Sequence, residues 1–221
     1  MSYNYNQGAP PPAPPPGPPP SPGGGMSSGD FQDVINSWIS SVTRPAIGTY
    51  AAEVPRASQS RLIMSVGIVT VIAAIAGLIG GVFTGHAVGG FISALIITPV
   101  GFLIVAGALY LGARLMKGTG TFEQHAWVVS TIWAPITILS SIAGIIPILG
   151  GLIGILLGLY SIYLYYLSQQ AVHRLDSSNA IISMLIGIVV YIIGVAIIGL
   201  IIAAILLPFG LIAANTGMFG R

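Results

Sequence analysis

The sequence predicts an all-α integral membrane protein, a bundle of five transmembrane helices that follows a disordered Pro-rich N-terminal tail and an amphipathic interfacial helix. Three observations predict it. Only 5% of the 221 residues are charged and 54% are hydrophobic, against about 25% charged in a soluble globular domain. Seven basic and five acidic side chains cannot cover a water-facing surface, so most of the solvent must be lipid. The apolar residues gather into blocks long enough to cross a hydrocarbon core of about 30 Å, which takes about 20 helical residues. The single lysine and the arginines then fall at alternate ends of those blocks.

Residues 1–29 hold ten of the 16 prolines, in PPPAPPPGPPPSPGGG, with no apolar pattern that could be buried. This tail is expected to be disordered and locally polyproline II, a linker. Residues 30–61 form a cytoplasmic amphipathic helix and linker. Phe31, Val34, Ile35, Trp38, Ile39 and Val42 recur at helical spacing, with Gln32, Asp33, Asn36, Ser37, Ser40 and Ser41 on the other face. Ser28 or Asp30 serves the first turn as a cap, and Arg44-Pro45 ends the helix. Its apolar face either lies on the membrane, with Phe31 and Trp38 as surface anchors, or packs on the loops of the bundle.

The membrane domain occupies residues 62–210, and 211–221 form a short C-terminal tail. Residues 62–116 fit two spans divided at Thr84 to Gly90, residues 126–167 two more broken around Gly144 to Pro147, and Ala180 to Leu207 the last. Arg44, Arg56, Arg61, Arg114, Lys117 and Arg174 fall on one side, and only Arg221 on the other. The positive-inside rule then makes the N-terminus cytoplasmic and places the C-terminus on the opposite side. No secretory signal is visible, so the run from Leu62 acts as its own insertion signal. Tyr160, Tyr163, Tyr165 and Tyr166 suit an interfacial aromatic belt, and Trp127 and Trp133 anchor the third span near the interface.

Chemistry is sparse. There is no cysteine, so no thiolate nucleophile or Cys metal site. GTGTFE lacks the third glycine of a dinucleotide fingerprint and follows a membrane helix, no GK[ST] phosphate loop occurs, and no GxSxG holds a serine nucleophile. A net charge of +2 with scattered basic residues gives no nucleic-acid surface. His86 is expected on the opposite side of the membrane from His125 and His173, so the three cannot share a metal. Glu123, His125 and His173 are placed at the cytoplasmic interface, as hydrogen-bonding or capping groups. Convergence of the two histidines with Glu123 and Asp176 is the alternative. The five apolar cores contain no Asp, Glu, Lys, Arg or His, which disfavours ion coupling. No cofactor, metal or catalytic residue is expected.

The spans carry small residues in rows. Gly77, Gly81, Gly85 and Gly89 recur every fourth residue, as do Gly150, Gly154 and Gly158. Such rows let backbones approach closely, so Gly77, Gly81, Gly150, Gly154 and Gly158 are expected to pack helices within the chain, with a homo-oligomer as the other use. Pro99, Pro135 and Pro147 should kink or end helices.

RPAIGTYAAEVPRAS before the first span, GTGTFEQHAWVVSTIWAP entering the third, and YLYYLSQQAVHRLDSSNAI between the fourth and fifth resemble, in that order, the Yip domain family of Ypt/Rab-interacting membrane proteins, in its prokaryotic branch. The resemblance covers about residues 31–210. It implies a five-span protein with a cytoplasmic N-terminus, related to eukaryotic members that bind prenylated small GTPases and shape membranes. Those members carry an Asp-Leu-Tyr-Gly-Pro type motif ahead of the first span. Here the region reads IGTYAAEVPRAS, so no residue of that motif is carried over.

The expected function is therefore that of a non-enzymatic protein of the prokaryotic cell membrane, which organises or shapes the bilayer and recruits protein partners on its cytoplasmic face. A permease or channel for a small or apolar solute, lined by Thr70, Ser93, Thr98, Ser130 and Thr137, is the alternative.

Overall fold

The computed structural model describes residues 28–215. Most of the Pro-rich tail, whose expected disorder concerns residues 1–29, lies outside the described residues. Seven α-helices follow in order: α1 (Ser28–Thr43), α2 (Ile47–Glu53), then a 3-10 turn (Val54–Arg56), α3 (Gln59–Thr84), α4 (Ala87–Leu115), α5 (Phe122–Ala143), α6 (Pro147–His173) and α7 (Ser177–Asn215). No strand occurs among the described residues. The five helices α3 to α7 are long and apolar enough to cross a bilayer, over Gln59–Thr84, Ala87–Leu115, Phe122–Ala143, Gly150–His173 and Ser177–Ile201. The chain is a multi-pass membrane protein. Its last helix runs on to Asn215, so the first residues expected in a C-terminal tail at 211–221 are helical.

Local chemistry sets each helix end. Ser58 caps α3 by accepting the Arg61 N–H at 3.3 Å. At its other end Gly85 takes a left-handed backbone, φ +76, so that its N–H reaches the Val82 carbonyl and the His86 N–H reaches the Gly81 carbonyl at 2.7 Å. This paired closure terminates a helix only where a residue tolerates positive φ. Thr121 and Gln124 form a reciprocal capping box on α5, each side chain serving the other's backbone N–H, and Asp176 caps α7 through the Asn179 N–H at 2.7 Å. Pro99 and Pro135 sit inside α4 and α5 without ending them.

In the bundle, α3 packs between α4 and α5, α4 also holds α7, and α5 holds α6. Glycines set the closest of these approaches. A Cβ on Gly77 would stand 2.6 Å from the Gly90 carbonyl oxygen, and one on Gly81 would stand 2.6 Å from the Ala87 Cα, so α3 and α4 touch backbone to backbone. Gly150 is equally tight, its Cβ position 2.7 Å from the Ala143 carbonyl at the α5–α6 turn. Gly154 and Gly158 receive no neighbouring helix among the described residues of the chain: nothing lies within 4 Å of a Cβ on either, and Leu152, Ile155, Leu156 and Leu159 beside them are exposed. Gly85, in the turn, and Gly89, between the contacting positions Ala87 and Gly90, are open as well. A further close approach joins α4 to α7, where a Cβ on Gly112 would collide with the Ser183 carbonyl and one on Gly187 would stand 3.1 Å from the Leu109 Cα.

Residues 28–58 fold as a cap on one end of the bundle. On α1, Val34, Ser37, Trp38 and Ser41 are buried, and Phe31 and Ile39 are exposed. The buried face is thus rotated toward the serines, which are tolerated inside because each finds an acceptor. The Ser41 hydroxyl donates to Thr131 Oγ1 of α5 at 2.8 Å, and Ser37 donates to Glu53 at 3.0 Å. Trp38 as a membrane-surface anchor is corrected: it is 5% exposed, and its indole N–H donates to Ser65 of α3 at 3.1 Å. Phe31 remains half exposed, at 50%. The segment expected as a linker after α1 is instead α2 and the 3-10 turn, with Tyr50 fully buried and donating to the Ser41 carbonyl at 2.8 Å. Burial pushes the Tyr50 phenol well above its usual range, so it stays a donor. The expected aromatic belt is likewise partly structural, since Tyr160 donates to the Val42 carbonyl at 2.6 Å and ties α6 to the end of α1.

Candidate functional site at the capped end

Two polar constructions share the capped end. The first is centred on Glu53, the last residue of α2, which is 4% exposed. Its Oε2 accepts from the Ser37 hydroxyl at 3.0 Å and from the Trp127 indole N–H at 3.2 Å, and its Oε1 pairs with Arg56 at 3.3 Å. A buried carboxylate is stable only when donors surround it. Here they come from α1, α5 and the 3-10 turn, so one side chain fastens the cap to the bundle. A second cap contact, Arg61 to Asp33 at 3.1 Å, lies nearer the surface, where ion pairs contribute little.

The second construction is a pair of imidazoles. His125 enters from the first turns of α5 and His173 is the last residue of α6. Their rings meet with His173 Nε2 and His125 Nδ1 2.9 Å apart, and each residue is 1% exposed. Tyr110 of α4 lies against both, with ring centroids 5.6 and 5.7 Å away, and Phe122 meets Tyr110 edge-on at 5.3 Å. The segment 117–121 closes over them. Lys117 turns left-handed at φ 63, Arg114 reaches back to the Gly118 carbonyl at 3.0 Å, and the Thr119 N–H donates to the His173 carbonyl at 3.3 Å. Gly118 and Gly120 permit this closure, because a Cβ on either would stand 2.8 Å from His173 Cβ or 2.7 Å from Val172 Cγ1, respectively.

His125 Nε2 and His173 Nδ1 are buried with no hydrogen-bonding partner among the described residues. Nearby, Gln169 of α6 is fully buried and donates to the Leu109 carbonyl at 3.0 Å. A cavity of about 570 Å³ opens beside the closing segment, bounded by Val54 and Pro55 of the cap, Thr119, Gly120, Gln124 and Arg174.

The structure therefore brings His125 and His173 together and leaves Glu123 and Asp176 exposed, away from them. No cluster of three or more metal-ligating side chains occurs among the described residues. The hydroxyls expected along a solute path do not assemble either. Ser93 and Thr98 line a different cavity, and the Thr70 and Ser130 hydroxyls donate to the Val66 and Trp127 carbonyls of their own helices. Trp127 and Trp133, expected as interface anchors, are interior: Trp127 serves Glu53, and Trp133 stacks at a tilt on Phe102, 5.1 Å between ring centroids. Sequence reasoning missed Glu53, Tyr50 and Tyr110. One signal was present, since Glu53 is the single acidic residue between Asp33 and Glu123.

Five apolar helices with a folded, side-chain-locked cap on one end define a multi-pass α-helical membrane protein. Residues 39–201 match the family model of the Yip1 domain, well over half of the chain, and the protein belongs to the Yip1 domain family. No curated protein and no solved structure matches the chain.

Proposed function

We propose that the protein is a non-enzymatic organiser of the membrane whose capped end faces the cytoplasm and recruits protein partners. The observation that carries this reading is the cap. Glu53, Tyr50 and Trp38 are committed to holding it rigidly on the bundle, while Phe31, Ile39 and Ile47 are left exposed on it. A rigid surface with apolar residues outward suits docking to a bilayer or a protein, because little ordering remains to oppose binding. The cytoplasmic assignment is supported by six of the seven basic residues, which belong to the capped end. Membership of the Yip1 domain family agrees with a role other than catalysis.

Reconstitution of the full chain into liposomes tests this. Rising protein density should narrow or tubulate vesicles in electron micrographs, and the triple variant Phe31→Ser, Ile39→Ser, Ile47→Ser should do so several-fold less while remaining inserted. Unchanged vesicle shape together with saturable solute flux would overturn the reading in favour of a permease.

A further inference from the structure

We infer that the cavity between the α3–α4 tip and the α5–α6 turn holds an acyl chain of a phospholipid from the leaflet opposite the cap. The cavity measures about 980 Å³, at the upper end of the range of small-molecule sites. Its walls include Ala73, Gly77 and Gly80 of α3, Ser93 and Thr98 of α4, and Ser141 near the end of α5.

Depth points to the ligand. The lining runs along α3 from Ala73 to Thr84, eleven residues or about 16 Å at 1.5 Å per residue. Half of a hydrocarbon core is about 15 Å. The cavity therefore extends through one leaflet, from headgroup level at the Thr84–His86 turn to mid-bilayer. It lies at the far end of α3 from the cap.

The walls suit hydrocarbon better than water. Among the described residues no Asp, Glu, Lys or Arg lines the cavity, and His86 stands at its headgroup end with Nδ1 2.7 Å from the Thr84 carbonyl oxygen. Two of its hydroxyls serve their own helices, Ser93 donating to the Gly90 carbonyl at 3.1 Å and Thr84 to the Gly81 carbonyl at 3.3 Å, and beyond Thr98, Ser141 and His86 the lining is Ala, Gly, Ile and Phe. A buried water needs several polar partners, and these walls offer few. Apart from Phe83, small residues line α3 there, while Leu78, Ile79 and Val82 are exposed outside the lining. The chain thus leaves an open groove at a depth where the surrounding solvent is acyl chain, and its walls gain dispersion contacts only when that solvent enters it. This inference is independent of the reading of the cap.

Photolabelling decides it. The full-length protein is reconstituted in phosphatidylcholine vesicles doped with phosphatidylcholine carrying a mid-chain diazirine, irradiated, and mapped by peptide mass spectrometry. Adducts should concentrate in residues 73–98 and 141–146, several-fold above those on the exposed α6 face around Ile155. Gly80→Leu should lower them several-fold, because a Cβ on Gly80 meets nothing within 4 Å and a larger side chain there enters the cavity. Gly154→Leu, equally open but away from the cavity, should leave them unchanged. Ser93→Leu fills the cavity from the opposite wall, so a folding defect in one variant does not decide the result. Labelling spread evenly over all exposed helices, labelling indifferent to both filling variants, or cross-links between two copies at these residues in place of lipid would overturn the inference.

Discussion

Glu53 shows how much of this fold depends on single polar side chains inside an apolar protein. With Ala in its place, the Trp127 indole and the Ser37 hydroxyl would stay buried without an acceptor, and each orphaned group costs about 1–3 kcal/mol. Glu53→Ala should therefore lower the thermal midpoint of the detergent-solubilised protein, followed by tryptophan fluorescence, and Glu53→Gln, which keeps an acceptor oxygen, should lower it less. Equal midpoints for Glu53→Ala and the parent chain would contradict the anchoring role. Trp38 provides a second reading at this scale. As a core residue hydrogen-bonded to Ser65, its replacement by Ala should cost about 3–5 kcal/mol, again read by thermal unfolding, with membrane insertion unaffected. A surface anchor would show the reverse pattern. The sequence did not separate the two, because Val34, Trp38 and Val42 share one face whether that face meets lipid or α3 and α5. Only the tertiary partners of Ser37 and Ser41 reveal which way the helix is turned.

Among the elements, the helices themselves were legible and their contacts only in part. Long apolar blocks broken by Gly, Pro and polar runs mark five spans, and the breaks fell where expected, at Gly85-His86 and around Gly144–Pro147. Glycine spacing was a weaker guide, since a row of small residues is necessary for close packing and does not say which neighbour arrives. Gly77, Gly81 and Gly150 receive one, Gly154 and Gly158 do not, and Gly112 and Gly187, outside any row, do. Gly112→Leu should therefore destabilise the protein by at least about 1–3 kcal/mol through the α4–α7 contact, whereas Gly154→Leu should stay within about 0.5 kcal/mol. Thermal unfolding of both variants in the same detergent checks the contrast, and equal losses would contradict it. The closing segment is subject to the same reasoning. Gly120→Val would drive a side chain into Val172 and the His173 ring, so hydrogen exchange of residues 117–121 should rise several-fold. The histidine pair was open to sequence reasoning only as an alternative, because His125 and His173 are 48 residues apart and meet only through the packing of α5 on α6, and the Glu123 and Asp176 expected with them stay exposed.

For the whole molecule, composition and charge placement carried the prediction furthest. A chain with 5% charged residues has few ways to fold in water, and its exposed Leu, Ile and Phe side chains on α3, α4, α6 and α7 are consistent only with lipid around them. The cap was legible as an amphipathic helix and illegible as a folded unit, since its stability comes from Glu53, Tyr50 and Tyr160 reaching partners in other helices. The central claim is that five crossings leave the cap, the 117–121 closure and the α6–α7 turn on one side, and the α3–α4 and α5–α6 turns on the other. The absence of native cysteine makes it directly measurable. Single cysteines at Ser40, Thr119 and Ser178, and at Gly89 and Gly144, can be challenged with a membrane-impermeant maleimide in sealed, oriented vesicles. The account predicts that the first three label together from one face and the last two only from the other; labelling of Thr119 and Gly89 from the same face would contradict it.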